Sequence, residues 1–257
     1  MNFNLVNIPV RTAHPRSTGI TMISDKGLSL ADAKYLLSIA SPYIDLVKLA
    51  YGTAMVTPLL DQKISLFKAH NIPVFFGGLL FEAFVIRNQF GDYLRILEEY
   101  DISFFEVSDG YIDISHQRKC EYIRCLSERG TVISEIGSKD KDKVTVTPPY
   151  KWIELMKTEL DAGSKYVIAE AKESGNEGLY RNSGEVREGL VEEILTKIPP
   201  EKIIWEAPQL DQQLYFIKLL GSNVNLGNID PKEIIGLEAT RTGLRSDSFN
   251  FFIQKQK

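Results

Sequence analysis

The chain has 257 residues, of which 44% are hydrophobic and 25% charged, and its net charge is −4 at pH 7. A chain of this length buries roughly three quarters of its unfolded surface and needs no disulfide or metal staple. Interspersed, mildly acidic charge excludes nucleic acid as the main partner, because a phosphate backbone calls for a basic stripe. No apolar run approaches the ~18 residues that span a membrane. Residues 1–10 carry no basic segment followed by an apolar core, so no secretory signal is expected. Cys120 and Cys125 point to different faces of a helical pattern, which predicts free thiols and a cytoplasmic protein.

Short apolar runs recur at residues 20–24, 44–49, 73–76, 103–107, 131–136, 165–169, 202–205 and 223–226. They are rich in β-branched and aromatic residues and apolar on successive positions, as strands covered on both faces are. Helical patterns lie between them. Thr57-Pro58 opens one, with Leu60, Ile64 and Phe67 as its apolar stripe. Ser115 caps another, which turns Cys120, Ile123 and Leu126 inward and ends before Gly130. Pro148-Pro149 opens a third through Ile153, Met156 and Leu160, and Asp230-Pro231-Lys232-Glu233 resembles a capping box ahead of the last. Eight strand–helix units with no linker predict one α/β domain over residues 1–257, either a barrel or a doubly wound sheet. The first strand ends Ser24-Asp25-Lys26-Gly27, without the G-x-G-x-x-G of a dinucleotide-binding sheet, so a (β/α)8 TIM barrel with a closed parallel sheet is expected.

In such a barrel the carboxyl ends of all strands share one face, and that face holds the active site. Asp25-Lys26 ends strand one, Lys48 strand two, and Glu106 strand four ahead of Ser108-Asp109-Gly110. Glu135 stands in strand five, Glu170 after strand six and Glu206 after strand seven. A lone glutamate at a strand end is more often a cap or an ion-pair partner. Glu106, Glu135 and Glu170 on adjacent strands would repel one another, so a positive group is needed: Lys26, Lys48, Lys139 or a divalent cation. An oxygen-only ligand set favours Mg2+ over zinc. His14, His70 and His116 read as surface or packing residues, and no H-E-x-x-H, C-x-x-C or G-x-S-x-G occurs. Gly227-Asn228 follows the expected eighth strand, where barrels often bind phosphate, and Arg241 or Arg245 could supply the charge. Phe249, Phe251 and Phe252 are candidates for contact with a neighbouring subunit in a homo-oligomer.

Several stretches carry a family resemblance. They are Thr21-Met22-Ile23-Ser24-Asp25-Lys26-Gly27, Ile44-Asp45-Leu46-Val47-Lys48-Leu49 with Gly52-Thr53, and Gly77-Gly78 with Leu80-Phe81-Glu82. Val107-Ser108-Asp109-Gly110, Ser134-Glu135-Ile136-Gly137, Glu206-Ala207-Pro208, Val224-Asn225-Leu226-Gly227-Asn228-Ile229 and Gly243-Leu244-Arg245 continue the series. Together they resemble the phosphosulfolactate synthases of coenzyme M biosynthesis and their bacterial relatives, over nearly the whole chain. The resemblance implies a carbon–sulfur lyase adding sulfite to phosphoenolpyruvate to give (2R)-phosphosulfolactate, with Mg2+ stabilising the enolate. It implies Glu106, Glu135 and Glu170 as metal ligands, and Lys139, Lys26 and Lys48 as the catalytic lysines, with Lys139 as proton donor. Asp25, Asp109, Gly227, Asn228 and Arg245 are the candidate substrate-binding residues. Three positions depart from the family pattern: Leu79 for a threonine, Tyr111 for a small hydroxylic residue, and Ser138 for a lysine. Those departures leave two rivals, a Mg-dependent barrel acting on another phosphorylated carboxylate and an inactive barrel serving as a binding protein.

Overall fold

The computed structural model describes residues 3–137, 147–171, 174–176 and 178–254. Eight strands form one sheet: β1 (Thr21–Asp25), β2 (Leu46–Leu49), β3 (Val74–Phe76), β4 (Phe104–Val107), β5 (Thr131–Ile136), β6 (Ser164–Ala169), β7 (Ile203–Glu206) and β8 (Leu226–Ile229). They run in the order β3-β2-β1-β8-β7-β6-β5-β4, and every pairing is parallel. The ends of this order, β3 and β4, lie against each other, which curls the sheet into a nearly closed barrel. Among the described residues no ladder pairing joins β3 to β4.

Every residue of β1, β2, β3, β7 and β8 is buried, because the barrel interior covers one face and helices the other. The helices between the strands are α1 (Leu30–Ala40), α2 (Leu60–Lys68), α3 (Gly78–Val85), α4 (Phe90–Glu99), α5 (His116–Ser127), α6 (Pro149–Asp161), α7 (Glu188–Leu195) and α8 (Leu210–Leu220). After β8 come α9 (Ile234–Arg241) and the short α10 (Phe251–Gln254). Local chemistry sets their starts: Ser29 and Asp32 form a capping box for α1, and the Ser115 hydroxyl accepts from the Arg118 amide at 3.2 Å for α5. The fold is the expected (β/α)8 barrel.

One strand lies elsewhere than the sequence pattern suggests. The apolar run at 223–226 predicts β8 there, but β8 begins at Leu226. The preceding asparagines use their side chains instead of a ladder: Asn225 accepts from the Ile20 amide at 3.1 Å and donates to the Glu201 and Ile203 carbonyls. Gly227 and Asn228 are therefore strand residues rather than a loop after it. Opposite β1, Thr21 pairs with Leu226 and Ile23 with Ile229, so β8 carries an extra residue and bulges. Asn228 takes up the bulge with a left-handed φ of 59°, a region asparagine tolerates better than most residues.

At the end of α9, the opposite end of the barrel is sealed by Arg241, wholly buried and donating to the Ser222, Val224 and Ile20 carbonyls. Among the described residues no helix is long and apolar enough to cross a membrane. Phe252 packs against the core and edge-on to Phe251, so the chain itself covers part of the C-terminal apolar cluster, while Phe249 stays exposed.

Candidate active site

The carboxyl ends of the strands open into a bowl with roughly 540 Å3 of empty space, lined by Ser24, Lys48, Glu106, Glu206, Asn228 and the rim residues Tyr51, Gly78, Leu79 and Tyr111. At its floor the Lys48 ammonium lies 2.9 Å from Glu106 Oε1, 3.2 Å from Glu206 Oε1 and 3.5 Å from Glu135 Oε2. Four strands thus send one charged side chain each toward the floor of the bowl. Their terminal positions leave the charges at the mouth rather than in the packed middle of the barrel.

All four groups are buried, and one ammonium faces three carboxylates. Burial pushes the Glu106 carboxyl up to about 8; Lys48 pulls it back and Glu135 pushes it further up. The second oxygen of Glu206 accepts from the Ala171 amide at 2.9 Å, tying the cluster to the segment after β6.

Three further buried charges surround the bowl. Asp25 is wholly buried; it accepts from the Gly27 and Leu28 amides at 2.8 and 2.7 Å and pairs with Lys63 of α2 at 2.6 Å. Glu82 of α3 accepts from the Ser108 hydroxyl, from the Gly110 amide at 3.2 Å and from the Tyr111 amide at 2.8 Å. Lys119 of α5 reaches Asp109 at 2.8 Å, the Glu135 carbonyl at 2.6 Å and Glu159 of α6 at 2.9 Å. Burial opposes the charge of Lys119, yet Glu159 and Asp109 outweigh it and hold its pKa above the usual value. Burial likewise pushes Glu159 up, but Lys119 and the hydrogen bond from His116 bring it below the usual carboxylate range.

With this arrangement in hand, comparison with known proteins decides the family. The (2R)-phospho-3-sulfolactate synthase (ComA) family matches residues 9–247. The chain belongs to the phosphosulfolactate synthase family. It is 39% identical over 250 residues to the phosphosulfolactate synthase of Bacillus subtilis (strain 168), covering 97% of this chain and 99% of that one. To the enzyme of the same name from Methanothermobacter thermautotrophicus it is 36% identical over 244 residues, covering 93% and 95%. Among solved structures, 3-hexulose-6-phosphate synthase from Salmonella typhimurium superposes with a TM-score of 0.54 at 12% identity, covering 91% of this chain and 99% of that one. That likeness shows the barrel alone.

In this phosphosulfolactate synthase barrel the residues expected from sequence divide sharply. Lys48, Glu106, Glu135 and Asn228 are together at the bowl or its floor. Asp25 is not open to substrate, because its oxygens hold the turn after β1 and Lys63. Asp109 turns away to Lys119. Gly227 is inside the barrel, where a Cβ would fall 2.6 Å from Met22 Cε and 2.9 Å from Ile204 Cγ2; it makes room for packing rather than for phosphate. Arg245 follows α9 toward the sealed end of the barrel and pairs with Asp247 at 3.2 Å. Lys26 is exposed beside a neighbouring groove between α1 and the start of α9, which meets the bowl at Ser24. Lys139 and Ser138 lie outside the described residues.

Among the described residues, Glu106, Glu135 and Glu170, expected to bind Mg2+, are not grouped as a ligand set. Glu170 packs against Gly137, where a Cβ would fall 2.6 Å from the Glu170 Cβ, and the Lys48 ammonium already stands between Glu106 and Glu135. Among the described residues no group of three or more His, Cys, Asp or Glu side chains is arranged to hold a metal ion. Glu106 Oε2 is buried, and no donor among the described residues bonds to it, which leaves one oxygen that could face an ion arriving on a substrate's own oxygens. Sequence reasoning gave Glu206 no role although it ends an apolar run just as Glu106 does. Glu82 sat in a resembling stretch, but nothing in a helical pattern shows that its carboxylate turns toward a strand-four loop.

Proposed function

We propose that this chain joins sulfite to phosphoenolpyruvate to give (2R)-phosphosulfolactate, acting on small molecules in the cytoplasm. The observation that carries the reading is Lys48, held by Glu106, Glu135 and Glu206 at the floor of the bowl in a phosphosulfolactate synthase barrel. In this reaction the sulfur lone pair of sulfite bonds to the terminal methylene carbon. The C=C pair moves into the carboxylate, making an aci-carboxylate dianion, and a proton then adds to the middle carbon. The phosphate ester stays intact.

Lys48 offers a fixed positive charge where the new carboxylate charge develops, and a preorganised charge counts most in a site shielded from water. Its three glutamates lock its position, since a lysine stem otherwise samples many rotamers. Among the described residues these carboxylates outnumber the one ammonium at the floor, so anionic substrates need more positive charge. Lys26 at the neighbouring groove and Mg2+ carried on the substrate are the sources in this reading, with Glu106 Oε2 as the protein donor. Such an ion, when bound, would draw charge from the substrate carboxylate as a Lewis acid. Lys139, three residues past the end of β5, is our proton donor.

An inactive scaffold would have no reason to keep four charges buried together at a cost in stability. A relative acting on another phosphorylated carboxylate draws support from the exposed Leu79 and Tyr111 at the rim, which make that wall apolar. Incubating the protein with phosphoenolpyruvate, sulfite and Mg2+ and weighing the product decides between them. A phosphosulfolactate mass is expected. Unchanged substrate, with turnover of a different phosphorylated carboxylate, would sink the sulfite reading.

A further inference from the structure

The hydrogen-bonded sheet ends at β3 and β4, so the barrel has a seam there. The seam runs beside the reaction floor: Lys48 stands on β2, one strand to its left, and its shortest ion pair reaches Glu106 on β4, across it. A ladder normally fixes the register of neighbouring strands, and here none does. β4 is laddered only to β5, and β2 to β1 and β3, so a direct tie across the seam is left to side chains.

We infer that Glu82 is that latch and a positioning residue for the reaction. It sits on α3, the helix that leaves β3, and the residue is 2% exposed. Across the seam it gathers three donors from the turn that ends β4: the Ser108 hydroxyl, the Gly110 amide and the Tyr111 amide. Hydrogen bonds to a buried carboxylate are short and strong, and donors stranded by its loss would stay buried without partners. Close approach of the two sides is built into the backbone. A Cβ on Gly78, at the start of α3, would fall 2.7 Å from Ser108 Cβ and 3.3 Å from Glu106 Oε1. From the other side Lys119 pins Asp109 of the same turn and the Glu135 carbonyl. The turn is thus held between a buried anion on the β3 side and a buried cation on the β5 side. Glu106, two residues before it, is placed against Lys48 as a consequence. Tyr111, whose amide Glu82 holds, and Leu79, three residues before Glu82 on α3, both line the bowl.

This inference rests on the sulfite-addition reading for its activity arm but not for its structural arm. Wild-type protein is assayed first with phosphoenolpyruvate, sulfite and Mg2+; failure there ends the proposed function and leaves the latch to the second measurement. That measurement is hydrogen exchange at the Gly110 and Tyr111 amides. Glu82→Ala should open both amides to exchange and lower kcat about 100-fold, the scale of a misplacement of about 1 Å in a site, with a smaller change in the KM for phosphoenolpyruvate. Glu82→Gln keeps an oxygen for Ser108 and Gly110 and should recover most of that loss. Ser108→Ala, which removes one of the three donors, should fall between wild type and Glu82→Ala in both readouts and covers the case in which Glu82→Ala does not fold. Exchange of both amides as slow as in wild type in Ser108→Ala and in a folded Glu82→Ala would overturn the latch. So would a folded Glu82→Ala protein whose only change is a lower Tm, with kcat and KM as in wild type.

Discussion

Two buried lysines in this barrel look alike in sequence and do opposite things. Lys119 meets Glu159, Asp109 and the Glu135 carbonyl behind the strands, where Lys119 and Glu159 strengthen each other's ionised form. Lys48 meets Glu106, Glu206 and Glu135 in the bowl, where Glu106 is pushed toward its neutral form. A buried cluster whose members support one another's charge is architecture. One at a strand end that pushes a carboxyl toward neutrality is held in readiness for a charge that arrives from outside, and the surrounding fold bears its cost.

Removing each lysine separates the two roles most strongly. Lys48→Met should lower kcat for sulfite addition by at least about 100-fold, on the scale of losing one preorganised electrostatic contact. Activity near wild type in a folded variant would move the chemistry away from the floor. Lys119→Met should instead cost about 3–5 kcal/mol of stability, because it strands Glu159 in the interior; adding Glu159→Leu should return much of that. Denaturant unfolding of the single and double variants tests this, and equal stability of all three proteins would contradict it.

The pH dependences should differ in sign. Glu159 titrates lower in the fold than in the unfolded chain, so its stabilisation is present above the unfolded carboxylate pKa and is lost as pH falls through its folded value. Glu106 is raised from 4.5 to about 8, so between those values the folded state binds more protons than the unfolded state. Its contribution to stability therefore decreases as pH rises across that window. Glu106→Gln should flatten the alkaline side of a plot of Tm against pH between 5 and about 8. Glu159→Gln should flatten the acid side. A Glu106→Gln curve parallel to wild type would show that this carboxyl is ionised throughout.

The smallest effect is expected at Glu170. Glu135→Gln alters the Lys48 cluster and should lower activity at saturating Mg2+, whereas Glu170→Gln should leave the Mg2+ concentration for half-maximal activity little changed. A large shift in that concentration for Glu170→Gln would restore the three-glutamate cage.

Sequence patterning captured the strands covered on both faces, the Ser115 cap and the proline start of α6 at Pro149, since burial on two sides and the chemistry of helix ends are local signals. It misplaced β8 because Val224 and Leu226 read as an apolar run, while the ladder was decided by Asn225, whose amide bonds to Ile20, Glu201 and Ile203. At the site, Lys48, Glu106 and Glu135 were legible as charges ending apolar runs. Asp25 and Asp109 gave the same signal and proved to be supports, because the partners that claim them, Lys63 and Lys119, come from helices that no strand pattern connects to them.

The sequence by itself determined that this chain makes eight buried parallel strands, that carboxylates end several of them, and that its ordered motifs are those of phosphosulfolactate synthases. Alternation, capping and hydrophobic runs are properties of neighbours along the chain, and they need no knowledge of what lies across the barrel. Only the tertiary structure decided that Glu206 shares Lys48, that a bulge turns Asn228 into the bowl, and that Glu82 bridges the seam left open between β3 and β4 among the described residues. Those outcomes depend on which strand ends converge and on how far each side chain reaches, and curling the sheet brings together residues more than a hundred positions apart, as with Lys48 and Glu206.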